Sequence, residues 1–230
     1  MKFAIIGTGV MGRGWITQCA MTGHEVHCYD ANADTITGAK AYCEKLAGKV
    51  AKKFKLDDPE AGAKAAALIN TYTDKAAFIE AAKGCQVFLE VIFEDMKLKC
   101  DVLSDMLPQL PEEVVFWSNT SSLDIDIMAE AGGRPERSIV THGMNPVPMM
   151  SGVEVVPGRK TTAETVEFTR SLLLEMNKAP FLGPNIPGFW VNRLLMPQML
   201  DAMRFIEQGK ITVEDGDVGL NTSLGHPQGT

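Results

Sequence analysis

The chain has 230 residues, of which 45% are hydrophobic and 22% are charged, and its mean hydropathy is −0.01. This composition is typical of a folded globular protein and excludes an intrinsically disordered one. The 29 acidic and 22 basic residues leave a net charge of −7, so there is no basic surplus to bind nucleic acid, and the first apolar run, at residues 3–6, is too short for a membrane segment.

The first thirty residues predict a βαβ unit. Residues 2–6 form an apolar run of strand length, residues 15–22 continue with helical spacing, and residues 25–29 form a second short strand. Gly7-x-Gly9-x-x-Gly12 lies between the first strand and the helix. Strand, glycine turn, helix and strand in this order predict two parallel strands.

The segments that follow alternate between helix and strand patterns. Strands are predicted at residues 86–92, 114–118, 138–142, 153–156 and 179–182, and helices at 34–54, 61–68, 95–107, 125–131 and 163–176. Pro180 within the last strand indicates the edge of the sheet. The alternation predicts an α/β fold, a Rossmann-like doubly wound and mostly parallel sheet.

The pattern changes at residues 183–188, which are rich in glycine and proline. Helices are predicted at 191–208 and from Val213 towards Leu224. We therefore expect a dinucleotide-binding domain at residues 1–184 and an all-helical domain at 185–230. The second segment is too short for a good core of its own, so we expect it to pack on the sheet domain, on a partner chain or on further sequence.

The glycine turn and the acid that follows it predict a dinucleotide site. Gly7 would form the tight turn, Gly9 would let the backbone approach a pyrophosphate, and Gly12 would let helix and strand touch. Val10 and Met11 lie within this turn, at the helix N-terminus that would face the phosphates. Asp30 ends the second strand, where a carboxylate binds ribose hydroxyls and repels a 2′-phosphate, so NAD is favoured over NADP.

Two further polar segments follow strands and should face the same crevice. Ser118-Asn119-Thr-Ser-Ser122 carries hydroxyl and amide groups, which would line the ligand site or cap the next helix. His142 ends a later strand, and Glu154 interrupts an apolar strand twelve residues further on. A carboxylate in such a strand needs a partner, and a histidine that accepts protons supplies one, so we expect a His–Glu dyad.

The five cysteines and four histidines indicate no metal centre. The cysteines are odd in number and scattered, and they show no metal-ligand spacing among themselves or with the histidines. We therefore expect reduced, mostly buried thiols and a cytoplasmic protein.

Together the motifs resemble the L-3-hydroxyacyl-CoA dehydrogenase family, in particular its 3-hydroxybutyryl-CoA dehydrogenases. The resemblance runs over essentially the whole chain and rests on motifs that occur in the family's order and spacing: the glycine turn with Asp30, Ser118-Asn-Thr-Ser-Ser-Leu123, His142-x-x-Asn-Pro-Val-Pro148, Val153-Glu-Val-Val156 and Pro187-Gly-Phe-x-Val-Asn-Arg193. The resemblance implies NAD-dependent oxidation of an L-3-hydroxyacyl-CoA to the 3-oxoacyl-CoA, in fatty acid β-oxidation.

The resemblance also implies roles for single residues. His142 would be the general base and Glu154 would orient it, while Ser121 and Asn192 would hydrogen-bond the substrate. Asn145 would lie near the nicotinamide, and Ser121, Glu94 and Lys99 would line the cofactor cleft. The helical domain would form a homodimer. A basic helix stripe would help bind CoA or would remain a solvated helix face: Lys45, Lys49, Lys52 and Lys53.

The sequence departs from the family pattern in three places. Gly143 and Met144 replace two aromatic residues after the catalytic histidine, which is expected to leave more space near the acyl group. Trp190 replaces an aliphatic residue and could fill part of that space. Residues 225–230 fall inside a family motif after which relatives continue, so we expect the helical domain to be partial.

Two other readings stay open at this stage. A related dehydrogenase could act on a free hydroxy or sugar acid, of the L-gulonate or carnitine type, without CoA. A catalytically silent protein resembling the lens crystallins of this superfamily is the other alternative, and the presence of Ser121, His142, Glu154 and Asn192 argues against it.

Overall fold

The protein is described by a computed structural model that covers residues 1–56 and 58–223. The chain divides into two compact units, Met1–Ile186 and Pro187–Thr230. Within the described ranges, no helix has the length and apolar character that crossing a bilayer requires.

The first unit is built around an eight-stranded sheet. Its strands are β1 (Lys2–Ile6), β2 (Glu25–Tyr29), β3 (Ile69–Tyr72), β4 (Val87–Glu90), β5 (Val115–Ser118), β6 (Ser138–Gly143), β7 (Gly152–Pro157) and β8 (Ala179–Leu182). Its helices are α1 (Val10–Met21), α2 (Ala33–Thr37), α3 (Ala39–Lys53), α4 (Ala61–Ala67), α5 (Lys75–Ala82), α6 (Met96–Met106), α7 (Ile125–Ala131) and α8 (Ala163–Glu175).

The strand order is β3-β2-β1-β4-β5-β6-β7-β8. Neighbouring strands are parallel throughout, except for β6 and β7, which are antiparallel. From β1, in the middle of the sheet, the chain adds β2 and β3 on one side and then returns to add β4 and the later strands on the other side. The boundary between β1 and β4 is therefore the switch point, where such folds bind dinucleotides. The predicted doubly wound, mostly parallel sheet is confirmed, and Pro180 lies in the edge strand β8 as expected.

The core lies along the central strands and the helix that follows β1. Residues 3–6 of β1 are all buried and apolar, as expected of a parallel strand that is covered on both faces. Trp15 of α1 and Trp117 of β5 are fully buried and meet edge to face, with ring centroids 6.4 Å apart. All five cysteines are unpaired, and only Cys100 among them is not fully buried, as the sequence indicated.

Two local predictions were wrong. The single helix expected at residues 34–54 is two helices, α2 and α3, divided at Gly38, since glycine is a poor helix former. β3 and α5 were not predicted, because β3 is an edge strand that buries only Ile69. Asp74 Oδ1 accepts a hydrogen bond from the Ala77 amide at 2.8 Å, so Asp74 is the N-cap of α5. An aspartate at this position is a sequence signal that predicts the start of a helix.

The second unit contains α9 (Val191–Glu207) and α10 (Val213–Ser223). A turn precedes α9, with Gly188 and Phe189 in the left-handed region at φ +78° and +47°. Thr212 caps the N-terminus of α10, since its Oγ1 accepts a hydrogen bond from the Asp215 amide at 3.1 Å. Leu224, the expected end of this helix, lies outside the described residues.

Candidate active site

Two positions in the turn between β1 and α1 can be occupied only by glycine. Gly7 has φ +92°, and a Cβ atom there would collide with the carbonyl oxygen of Val91. A Cβ at Gly12 would collide with the carbonyl oxygen of Gly7. The start of α1 therefore lies directly against the ends of β1 and β4, at the switch point of the sheet.

The N-terminus of α1 fits a bound pyrophosphate. A Cβ at Gly9 would have no atom within 4 Å, so the space beside this residue is open. Val10 is 69% exposed, and no side chain of the described residues caps the helix. Unpaired amides of the first turn and the positive end of the helix dipole suit a phosphate, so this part of the chain fits the NAD that the glycine motif indicates.

Asp30, at the end of β2, is held as a carboxylate. Its Oδ2 accepts hydrogen bonds from the amide and hydroxyl of Thr8, at 2.7 and 3.0 Å, and Oδ1 accepts from the Asn32 amide at 2.9 Å. Burial acts to raise the pKa of Asp30, but these hydrogen bonds outweigh it and hold the pKa below its ordinary value. Asp30 therefore carries its negative charge at neutral pH, where it can accept from ribose hydroxyls.

His142 and Glu154 form the pair that the sequence suggested. They lie directly opposite each other on the antiparallel strands β6 and β7, and His142 Nδ1 is 3.2 Å from Glu154 Oε2. Glu154 is fully buried and His142 is 7% exposed. A buried carboxylate beside Nδ1 favours the tautomer that carries its proton on this nitrogen, so the pair is chemically suited to proton exchange at Nε2.

Gly183, just after β8, is a site residue that the sequence did not reveal. A Cβ atom there would lie 2.5 Å from Glu154 Oε1 and 2.8 Å from Glu154 Cγ. The absence of a side chain at Gly183 therefore leaves room for the Glu154 carboxylate. No sequence signal distinguishes this glycine from the others in the loop, because β8 must first be aligned beside β7.

We predict that Gly183→Ala lowers kcat by about tenfold to hundredfold, because it displaces the carboxylate that orients His142. Gly152→Ala, on β7, is the matched control, since its added Cβ would come no closer than 3.8 Å to the Phe181 ring. Steady-state kinetics on both variants checks this, and equal rates for the two variants would contradict it.

A buried ion pair lies beneath the ends of β4 and β5. Lys99 Nζ of α6 is 2.5 Å from Glu90 Oε1, and the side chains of Lys99 and Glu90 are 1% and 0% exposed. Glu90 also accepts hydrogen bonds from the Ser118 hydroxyl at 2.7 Å and from the Ile92 amide at 2.8 Å. Lys99, which was predicted to line the cofactor cleft, has its ammonium among these groups.

Glu94 connects this ion pair to the Ser118–Ser122 segment. One carboxylate oxygen is 3.3 Å from Lys99 Nζ, and the other accepts hydrogen bonds from the Thr120 hydroxyl at 2.5 Å and the Ser121 amide at 3.0 Å. Burial acts to raise the pKa of Glu94, but Thr120 and Lys99 lower it below its ordinary value. Glu94 is therefore charged, and it fixes the backbone at Ser121.

The extra space expected at Gly143 is absent. Gly143 is buried, and a Cβ atom there would lie 2.8 Å from Cζ2 of Trp15. The indole of a fully buried tryptophan thus occupies the place of a side chain at this position. The interpretation that Gly143 enlarges the acyl site is wrong for this residue, because the sequence could not show that α1 packs against the end of β6.

Two other predicted site residues lie on different parts of the chain. Asn145 is exposed on the segment after β6, and its peptide bond to Pro146 is cis. Asn192 lies in the first turn of α9, in the second unit, and is partly buried. In the first unit, the ends of β1, β2, β5 and β6 carry the glycine turn, Asp30, Asn119 and His142.

A doubly wound sheet with an open glycine turn, a carboxylate after β2 and a buried histidine–glutamate pair is the arrangement expected of an NAD-dependent dehydrogenase. The family model described as "3-hydroxyacyl-CoA dehydrogenase, NAD binding domain" matches residues 2–183, and that for the "C-terminal domain" matches residues 188–230. The chain belongs to the 3-hydroxyacyl-CoA dehydrogenase family, an NAD-dependent family of oxidoreductases.

Curated relatives match nearly the whole chain. It is 35% identical to the mitochondrial hydroxyacyl-coenzyme A dehydrogenase of Sus scrofa, over 98% of this chain and 72% of the relative. It is 34% identical to a probable 3-hydroxybutyryl-CoA dehydrogenase of Deinococcus radiodurans, over 100% of this chain and 80% of the relative.

Solved structures share the fold. The (S)-3-hydroxybutyryl-CoA dehydrogenase of Ralstonia eutropha aligns with a TM-score of 0.88 at 30% identity, over 98% of this chain and 78% of that one. A diketoreductase that acts on dicarbonyl compounds aligns with a TM-score of 0.90 at 26% identity, over 100% and 80% of the two chains.

Proposed function

We propose that the chain oxidises an L-3-hydroxyacyl-CoA to the 3-oxoacyl-CoA, reversibly and with NAD. The observation that carries the proposal is the buried His142–Glu154 pair at the carboxyl edge of a sheet whose glycine turn fits a dinucleotide. When bound, NAD supplies the acceptor for the hydride from C3 of the substrate. The protein must then remove the hydroxyl proton at the same time, or a protonated carbonyl would have to form.

His142 removes that proton through Nε2. Its Nδ1 faces Glu154, which keeps the productive tautomer and stabilises the imidazolium that forms. In the reverse direction the same imidazolium returns the proton to the carbonyl oxygen. Glu154 is fully buried, so its charge acts on His142 with little screening by water.

Four other residues complete the proposed site. Ser121, whose backbone Glu94 fixes, hydrogen-bonds the substrate. Asn192, in the second unit, is the other residue proposed to hydrogen-bond the substrate. Asn145 and Asn119 contact the nicotinamide half of the cofactor. The sheet domain at residues 1–184 binds NAD, and residues 185–230 contribute to the substrate site and to a homodimer.

We further propose that α3 contacts CoA. Four of its lysines are exposed and can meet the phosphates of a CoA thioester: Lys45, Lys49, Lys52 and Lys53. The proposal includes a cytoplasmic location and a role in fatty acid β-oxidation. Neither nucleic acid nor a membrane is a proposed partner.

The charge on Asp30 should set the preference for NADH over NADPH. We expect Asp30→Asn to raise the KM for NADH about tenfold, because the charged acceptor for the ribose hydroxyls is lost. The preference for NADH over NADPH should also become smaller, because no carboxylate then repels the 2′-phosphate. Asp34→Asn removes the same charge from an exposed site on α2 and serves as the control. Rates with both cofactors check this, and an unchanged preference in Asp30→Asn would contradict it.

A comparison of (S)-3-hydroxybutyryl-CoA with (S)-3-hydroxybutyrate, each with NAD, tests the substrate class. We expect NADH to form rapidly with the thioester and at a negligible rate with the free acid. Turnover of the free acid at a comparable rate would instead favour a dehydrogenase that needs no CoA. The observation that favours this second candidate is the structural similarity to a diketoreductase, an enzyme that acts on dicarbonyl compounds.

A further inference from the structure

Trp15, on the helix that follows the glycine turn, is a buried side chain that connects this helix to the ends of β5 and β6. It is fully buried, and its indole Nε1 donates a hydrogen bond to Asn119 Oδ1 at 2.6 Å. The Gly143 amide donates to the same oxygen at 3.1 Å. One side-chain oxygen thus joins α1, the end of β5 and the end of β6, next to His142.

These two contacts determine which way the Asn119 carboxamide faces. An indole N–H and a backbone N–H are donors only, so the atom between them must be the acceptor oxygen and not the amino group. The amino group, Nδ2, therefore lies on the opposite side of the carboxamide. Asn119 follows the last residue of β5 at the carboxyl edge of the sheet and is only partly buried, so part of this residue is exposed where ligands bind. With Oδ1 held by Trp15 and Gly143, Nδ2 is the polar side-chain atom that remains for a ligand.

The position of β5 in the sheet indicates which part of the cofactor is involved. In a doubly wound sheet the two halves of a dinucleotide lie on the two sides of the switch point. Asp30 follows β2 on one side, where the adenosine ribose is proposed to bind, and Asn119 follows β5 on the other side. Asn119 therefore belongs to the nicotinamide half.

We propose that Trp15 is a positioning residue, which holds the Asn119 oxygen inward so that its amino group donates a hydrogen bond to the nicotinamide half of NAD. The proposal rests on the proposed NAD-dependent function. It also gives a reason for glycine at position 143, since a Cβ there would lie 3.3 Å from Trp15 Nε1 and 2.8 Å from Cζ2 and would displace the indole.

Trp117 provides a matched control for Trp15. It is equally buried, and its indole Nε1 also donates one hydrogen bond, to Thr169 Oγ1 at 3.1 Å. Thr169 lies on α8 and not at the carboxyl edge of β5. Trp117→Phe and Trp15→Phe therefore remove the same group from the same core, but only Trp15→Phe releases Asn119.

The test compares the affinities of NADH and ADP-ribose, which lacks the nicotinamide, for each variant by calorimetry. We expect Trp15→Phe to weaken NADH binding about tenfold and ADP-ribose binding less than twofold, whereas Trp117→Phe leaves the ratio of the two affinities unchanged. Equal losses for both ligands in Trp15→Phe, or the same ratio as in Trp117→Phe, would overturn the proposal.

Asn119→Asp keeps the test decisive if Trp15→Phe does not fold. Aspartate retains the oxygen that accepts from Trp15 and Gly143 but lacks the amino group, so NADH affinity should again fall selectively. Unchanged NADH affinity would overturn the proposal. Because binding is measured without substrate, a wild-type protein that binds NADH but reduces no 3-oxoacyl-CoA would refute the proposed function while this comparison still decides the role of Trp15.

Discussion

Replacing His142 with alanine is expected to lower kcat by about 10²- to 10⁴-fold, the usual contribution of a general base, while the affinity for NADH is retained. The imidazole is the group at the end of β6 that can take the hydroxyl proton, and the glycine turn and Asp30 that hold the dinucleotide are elsewhere in the sheet. Stopped-flow or steady-state rates, together with NADH fluorescence titration, separate the two effects.

A second histidine–glutamate pair in the same unit provides the control. His27 Nε2 is 3.0 Å from Glu25 Oε1, but both residues lie on β2 and away from its carboxyl end. His27→Gln should therefore leave kcat close to that of the wild type. A His142→Ala variant that keeps more than a tenth of the wild-type kcat would show that another group accepts the proton.

Replacing Lys99 with methionine is expected to lower the free energy of unfolding by about 3–5 kcal/mol, because it leaves the buried Glu90 carboxylate without its cation. Lys99 and Glu90 are 1% and 0% exposed, so water cannot substitute for the lost partner. In a protein of this size the loss corresponds to a Tm lower by roughly 6–20 °C. Urea denaturation and calorimetry measure the two quantities.

Lys97→Met is the matched control on the same helix. Lys97 pairs with Asp101 at 2.6 Å, but the two side chains are 84% and 61% exposed, so its removal should leave stability unchanged within error. The double variant Glu90→Gln/Lys99→Met should regain part of the stability that Lys99→Met loses, because no unpaired charge remains. If Lys99→Met were as stable as Lys97→Met, the ion pair would not be a stabilising element of the site.

Much of this fold follows from short-range patterns. The glycine turn, the apolar β1 and Asp30 lie within thirty residues of one another, so their order alone predicts the parallel βαβ unit that the structure contains. The pairing of His142 with Glu154 was also predicted, since a carboxylate within an apolar strand needs a partner and a histidine that accepts protons supplies one. The doubly wound sheet then followed from the alternation of strands and helices.

The parts that could not be predicted depend on contacts between distant segments. Trp15 meets Gly143 only because α1 packs against the end of β6, and Gly183 approaches Glu154 only because β8 lies beside β7. Glu90 is an exception, because an acid at the end of the apolar β4 is the same signal that identified Glu154. A search for every buried carboxylate among the predicted strands would have found it.

The most direct test of hydride transfer uses NADH that carries deuterium at both C4 positions of the nicotinamide. The protein is mixed with acetoacetyl-CoA and this NADH, the product is analysed by mass spectrometry, and the reaction is repeated with NADPH. The account predicts (S)-3-hydroxybutyryl-CoA with one deuterium at C3, formed rapidly from NADH and slowly at most from NADPH. Bound NADH with no labelled product would contradict the proposed activity, and equal use of NADPH would contradict the role of Asp30.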